Sequence, residues 1–348
     1  MKFPATPTFR PSSPAIGLPQ DGQAAVPGAL DHVDPCQQPA PMTAGAAGPA
    51  PASPRGREEG ARLQIARLNP YLDHFLADEG RLLIQPGTLR HADEVFAAVE
   101  AWEGQAAPHR QAFLAVAANR SDHQITLAGR SADANLVEMG PAGSFYASCA
   151  PSRTAGMAPE VYLQLLWEGQ VAVAVALHPA ELWSTDGSPP LRRFGAFLLK
   201  KRDRPPGPES GEEMGWRVST FDLHRGPEQR TLHLVQAIQW PDASALPPST
   251  LAAGASLIRG LTAGTTVAVH CFAGQGRTGT LIATLSLGAA FRSMGAGRSV
   301  AEETKAALNC LLRLRLQRPG LVESPAQWAA AVAAAHLLAA RGEADVSA

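Results

Sequence analysis

From about Glu59 onward the apolar residues of this chain recur at regular spacing; before that point they do not. The spacing predicts helices over Ala61–Leu76 and Ala92–Ala107, with Leu114, Val116 and Ile125 marking short extended pieces. Pro159–Trp167 reads as a helix, with Pro in its first turn and Gly169 just past its end. Val171–Leu177 is an apolar, Val-rich run of the buried-strand kind, and Thr265–His270 is another. Phe194–Lys200, Trp216–His224 and Arg230–Gln239 alternate as strands, and the Pro- and Glu-rich Arg202–Gly215 reads as an exposed hairpin loop. Thr278–Leu287 is helical. Ser299-Val-Ala-Glu302 forms a capping box that opens the next helix, and Ser324-Pro325 starts a last one reaching about Arg341. No internal repeat is visible. Helices and strands interleave, which specifies an α/β fold built on a mixed sheet.

Composition narrows the function classes. The chain has 348 residues and is 45% hydrophobic, enough for a substantial core. With Lys+Arg 30 against Asp+Glu 31 the net charge is −1, which argues against a globally basic nucleic-acid binder. No apolar run reaches about 18 residues, the length of a membrane span. Cys36, Cys149, Cys271 and Cys310 are scattered and form no C-x-x-C pair, which fits a reducing compartment and neither a disulfide scaffold nor a zinc site. No metal or other cofactor is expected. Residues 1–60 hold 12 of the 30 Pro and no periodic apolar pattern, so they read as a disordered segment before a catalytic domain over 61–342. Met1–Gln20 lacks the apolar stretch of a secretory signal, which leaves either a plain tail or an address for export and chaperone binding. Only four of the basic residues are Lys and the rest Arg; with abundant Ala, Gly and Pro this suggests GC-rich bacterial coding.

Chemistry concentrates in His270-Cys271-Phe272-Ala273-Gly274-Gln275-Gly276-Arg277-Thr278-Gly279, between a predicted strand and a predicted helix. Glycines 274 and 276 let the backbone curl so that successive amides point inward as an anion-binding nest. The helix beginning near Arg277 adds its positive end. Cys271 sits at the mouth, where amides and dipole favour a thiolate nucleophile. Arg277 can fork two N–H groups onto phosphate oxygens. A cysteine five residues before an arginine can also be a buried structural thiol beside a capping loop. The His before the Cys, the two glycines and the strand-to-helix setting favour the phosphate cradle.

His270-Cys271-x5-Arg277-Thr278 resembles the signature loop of the cysteine-dependent protein tyrosine phosphatase superfamily. Trp240-Pro241-Asp242, 29 residues ahead of the Cys, is similar to the mobile acid loop of its tyrosine-specific members. Arg318–Trp328 resembles the segment that carries a water-positioning Gln, here Gln327. Phe145–Pro151, Tyr162–Trp167 and Val171–Leu177 resemble the family's run from a turn through a helix into a central strand. The likeness covers about residues 110–340 and implies a twisted sheet with central parallel strands flanked by helices.

The resemblance also implies roles. Cys271 attacks phosphorus and forms a cysteinyl-phosphate. Asp242 protonates the leaving oxygen and later accepts a proton from water. Gln327 orients that water. Arg277 holds the phosphoryl group together with the loop residues Phe272, Ala273, Gly274, Gln275 and Gly276. Thr278 hydrogen-bonds the thiolate, His270 braces the loop, and Trp240 anchors loop closure. Asp242 could otherwise be an ordinary loop residue and Gln327 a solvated one.

Two departures bear on substrate. Where tyrosine-specific members carry an aromatic after Asn-Arg, this chain has Asn119-Arg120-Ser121-Asp122. The signature loop carries Phe272 and Gln275 and no Lys, unlike many phosphoinositide phosphatases of the superfamily. The resulting expectation is a phosphatase of phosphotyrosine proteins, most similar in overall pattern to type III secreted bacterial effectors. Such a protein is soluble, begins in the bacterial cytoplasm, and passes into a host cell without a Sec signal. The alternatives are an inositol-polyphosphate or phosphoinositide phosphatase, and a phosphoprotein-binding module without turnover.

Overall fold

The computed structural model describes residues 91–92, 94–104, 125–127, 130–152, 156–184, 191–202, 214–262 and 265–346. Residues 1–60, the predicted helix 61–76, Leu114, Val116, Asn119–Asp122, Cys36 and most of the 202–215 loop lie outside them.

The helices in chain order are α1 (Glu94–Gly104), α2 (Pro159–Glu168), α3 (Pro248–Leu261), α4 (Gly276–Met294), α5 (Val300–Gln317) and α6 (Pro325–Val346). The strands are β1 (Thr126–Leu127), β2 (Arg130–Ser131), β3 (Ala134–Glu138), β4 (Ser144–Ser148), β5 (Val173–Ala176), β6 (Leu191–Phe194), β7 (Phe197–Lys201), β8 (Trp216–Arg225), β9 (Glu228–Ala237) and β10 (Val267–His270). β1 and β2 pair alone. The other eight form one sheet in the order β3-β4-β10-β5-β9-β8-β7-β6. β4, β10, β5 and β9 run parallel at its centre, with antiparallel strands on both flanks. This is the expected α/β class.

Side-chain alternation in the central strands explains the layering. Val267 and Val269 of β10, Val173 and Val175 of β5, and Phe145 and Ala147 of β4 face one core with apolar residues of α1, α3, α4, α5 and α6. Ala268, Ala174, Ala176 and Tyr146 face the other, against α2. Both faces are thus covered, as parallel strands require. α4 is buried almost all round. Its polar side chains stay satisfied locally: Thr280, Thr284 and Ser286 each donate to the carbonyl four residues earlier.

Several sequence expectations change. Phe194–Lys200 is the turn and inner part of a hairpin, β6 and β7, because Gly195 at φ 55° reverses the chain. α3 was not legible from periodicity: two prolines open it, and Gly254 interrupts it where a Cβ would lie 2.2 Å from the Trp216 ring. β3 and β4 were likewise not predicted as strands. The capping box holds, with the Ser299 and Glu302 side chains each bonding the other's backbone amide. The last helix extends past Arg341 to Val346.

Candidate active site

The central parallel strands all end on one edge of the sheet, and the candidate residues gather there. β10 ends at His270 and the chain turns through Cys271–Gln275 into α4. The carbonyls of this turn are tied outward. Phe272 O accepts from the Ala150 amide at 3.0 Å. Ala273 O accepts from Arg318 Nη2 at 3.0 Å, and Gly274 O from Arg318 Nε at 2.8 Å. Because each peptide is planar and trans, the following amides of 273, 274 and 275 point the opposite way. On that side lies the sulfur of Cys271, to which the Gly274 amide donates at 3.2 Å. Gly274 is required on two counts. Its φ is +70°, and a Cβ would fall 2.3 Å from the Ser148 backbone.

Arg318 is the brace of the loop. Nη1 donates to Asn135 Oδ1 at 2.6 Å and Nη2 pairs with Asp133 at 3.0 Å. All three nitrogens of a buried guanidinium are thereby engaged while it fixes two loop carbonyls. Sequence reading placed Arg318 in a motif and gave it no role.

Arg277 lies in the first turn of α4 with its side chain 3% exposed. Nη1 donates to the Trp240 carbonyl at 2.9 Å, and Nη2 meets Asp242 Oδ1 at 2.6 Å. Among the described residues its Nε has no hydrogen-bond partner. The Trp-Pro-Asp segment follows β9 and folds toward the signature loop through these contacts. Buried Trp240 anchors it, with the indole N–H donating to Ser244 O at 3.0 Å. The same carbonyl accepts from Gln327 Nε2 at 3.3 Å. Gln327 is buried rather than solvated, its Oε1 accepting from the Glu323 amide at 2.9 Å. A Cβ on Gly276 would come within 3.0 Å of the Gln327 amide group, so Gln327 hangs over the start of α4. Cys271, Arg277, Trp240, Asp242 and Gln327 therefore belong to one cluster.

His270 sits behind the sulfur, fully buried, on the α2 face. Trp183 donates its indole N–H to Nε2 at 2.8 Å, and Tyr162 packs edge-on at 5.5 Å. Burial, with the charges of His178 and Arg277, pushes its pKa down to about 3, against a contact with the Cys271 backbone that favours the charged form. The imidazole is therefore neutral, with its proton on Nδ1. Trp183 and Tyr162 were missed as supports; a buried indole N–H always needs an acceptor, but the sequence does not say which.

Thr278 is buried and its hydroxyl has no hydrogen-bond partner among the described residues; the sulfur's bond is from Gly274 instead. Ala273 lies in the turn and Gly276 opens α4. The Gln275 side chain turns away toward Pro319 O, at 3.5 Å. Phe272 is 41% exposed and meets the ring of His178, which follows β5. His178 was not singled out from sequence. Burial and the Arg277 charge lower its pKa, against Asp242. Cys149 and Cys310 are buried core residues, and burial pushes the Cys310 thiol up. Among the described residues no group of three or more His, Cys, Asp or Glu is placed to hold a metal, and no helix is long and apolar enough to cross a membrane.

The inward amides of 273–275, the sulfur beside them, the guanidinium at the start of α4 and a carboxylate on a folded-over loop are an arrangement that can seat a tetrahedral oxyanion next to a thiol and a carboxyl group. The family model described as Protein-tyrosine phosphatase matches residues 183–336. Receptor-type tyrosine-protein phosphatase V of Rattus norvegicus is 30% identical over 187 residues, covering 49% of this chain and 10% of that protein. The chain thus spans about a tenth of the length of that curated relative. A solved structure described as the structural basis of the PTPN18 fingerprint on distinct HER2 tyrosine phosphorylation sites aligns with TM-score 0.48 and 18% identity, over 59% of this chain and 72% of that one.

Proposed function

Residues 183–336 carry the protein tyrosine phosphatase superfamily pattern, and from that premise we propose that this chain hydrolyses phosphotyrosine in proteins through a cysteinyl-phosphate. The observation that carries the reading is the Cys271 sulfur receiving an amide hydrogen bond inside a turn whose Phe272, Ala273 and Gly274 carbonyls are tied outward, with Arg277 in the first turn of the helix that follows.

In the proposed reaction the Cys271 thiolate attacks phosphorus in line with the ester oxygen. The S–P bond forms as the P–O bond breaks, and Asp242 passes its proton to the departing oxygen. Water then attacks the same phosphorus, Asp242 takes its proton, and the S–P bond breaks to release phosphate. Arg277 holds the equatorial oxygens throughout, with its free Nε available to a second oxygen. Gln327 orients the water from above Gly276. Thr278, with an unengaged hydroxyl, donates to the sulfur as it departs. His270 acts on the nucleophile from behind and does not touch substrate.

Arg277 is the only Lys or Arg within 270–279, which supports a monophosphate over inositol polyphosphates. The Pro-rich residues 1–60 support a role as an export or chaperone-binding address, and the Arg-over-Lys composition supports a bacterial effector acting in a host cell.

The test is a rate panel on phosphotyrosine, phosphoserine and phosphothreonine peptides and inositol phosphates, for wild type and Cys271→Ser. Phosphotyrosine peptides should turn over fastest, with no loss in EDTA. Cys271→Ser should bind them without turnover. Wild-type turnover that survives loss of Cys271 rejects the mechanism, and preference for inositol phosphates rejects the substrate class.

A further inference from the structure

We infer that the Phe272 ring, backed by His178, is the wall against which the aromatic ring of the substrate packs. The inference rests on the phosphatase reading and adds the group that recognises the leaving alcohol.

Phe272 is the exposed aromatic side chain among the described residues: every other Phe, Tyr or Trp whose burial is described is at least half-buried. Single exposed apolar residues are ordinary on protein surfaces. This one is not placed at random. It follows the nucleophile directly, so its Cα stands one residue from a sulfur that is itself almost wholly enclosed. Its backbone cannot drift, because the Phe272 carbonyl is bonded to the Ala150 amide and the next two carbonyls to Arg318.

The ring is also fixed from one side. His178 meets it edge to face, with centroids 5.5 Å apart and planes at 74°. His178 is held in turn by the sheet, since the preceding Leu177 amide donates to His270 O at 2.8 Å. β5 and β10 run parallel side by side, so His178 after β5 and Phe272 after β10 stand together on the sheet edge that carries the signature turn, where the charges of Arg277 and Asp242 also act on His178. A water-exposed phenyl ring is thus held on the residue next to the nucleophile. An incoming aryl group packs on it, offset or edge to face, and removes both rings from water. A seryl or threonyl phosphate places no ring there.

The experiment compares two competitive ligands that differ only in the ring, phenylphosphonate and methylphosphonate, and scores the ratio of their dissociation constants. Wild type should favour phenylphosphonate by at least about tenfold. Phe272→Leu, apolar but ringless, should bring the ratio close to one. Phe272→Tyr should keep it, and His178→Ala should lower it in part. A ratio unchanged in Phe272→Leu overturns the inference and leaves the phosphatase reading standing. Wild type that binds neither phosphonate nor vanadate overturns the phosphatase reading itself.

Discussion

Asp242 lies 2.6 Å from Arg277 although its own side chain is 73% exposed. An ion pair so open to water is worth little as a stabiliser. On the proposed reaction its consequence is positional: the carboxylate stands at the guanidinium assigned to the phosphoryl group, so an arriving oxyanion would compete with it and free it for the leaving oxygen. Asp242→Ala should therefore lower kcat by about 10²–10⁴-fold while leaving KM level or reduced, in steady-state kinetics on a phosphotyrosine peptide. An equal rise in KM and fall in kcat/KM at constant kcat would assign Asp242 to binding alone. His270 carries a different prediction. Its pKa of about 3 in the folded chain lies below the ordinary 6.5 of an unfolded one. Between those values the unfolded chain binds a proton that the folded chain does not, so stability falls as pH drops through this window and is complete above it. Denaturant titrations from pH 7 to 4 should show wild type losing on the order of a few kcal/mol more than His270→Gln, which keeps an acceptor for Trp183 and does not titrate. Parallel curves would place the imidazole in a more solvated setting than the structure shows.

At the level of elements, the signature turn is held by contacts distant in sequence. Gly274→Ala meets both a positive φ and the Ser148 backbone, whereas Gly226→Ala, in the β8–β9 turn at φ +58°, has nothing among the described residues within 4 Å of the added methyl. The second substitution should cost about 1–2 kcal/mol, the general penalty for a left-handed residue. The first should cost more and should also abolish turnover, because the turn cannot close with the strand in place. Thermal melts and a rate assay on the two variants check this, and equal losses would mean the loop yields more readily than its contacts imply. The same contrast explains what was legible. The Cys-x5-Arg turn, the Trp-Pro-Asp loop and the Val-rich strands are local patterns, so a single sequence displays them. Arg318 reaching Asp133, Trp183 reaching His270 and Gln327 reaching Ser244 span 185, 87 and 83 residues, and nothing local marks such partners. α3 was hidden for the opposite reason: Gly254 looks like a breaker and is in fact the space that Trp216 occupies. The hairpin in Phe194–Lys200 was overlooked because apolar alternation continues across the turning glycine.

Across the described residues the sheet brings three separate segments to one edge: the signature turn after β10, His178 after β5 and the acid loop after β9. Ligand sites in open α/β sheets form at the carboxyl ends of parallel strands for this geometric reason. The fourth segment, carrying Gln327, comes from the start of α6, and Ser244 O joins it to the acid loop. A tetrahedral oxyanion in the seat would touch the signature turn and Arg277 together and so bind the folded chain alone. Binding of that kind stabilises by RT ln(1 + [L]/Kd), about 2.7 kcal/mol at a hundredfold excess over Kd. For a domain of this size that corresponds to a rise of roughly 5–10 °C in Tm, read by a thermal melt with and without tungstate. Arg277→Ala should remove the shift almost wholly. Gln327→Ala, which leaves the turn and Arg277 in place, should retain most of it and yet slow the breakdown of the intermediate. A tungstate shift that survives in Arg277→Ala would put the anion elsewhere on the molecule and separate the cradle from the chemistry assigned to it.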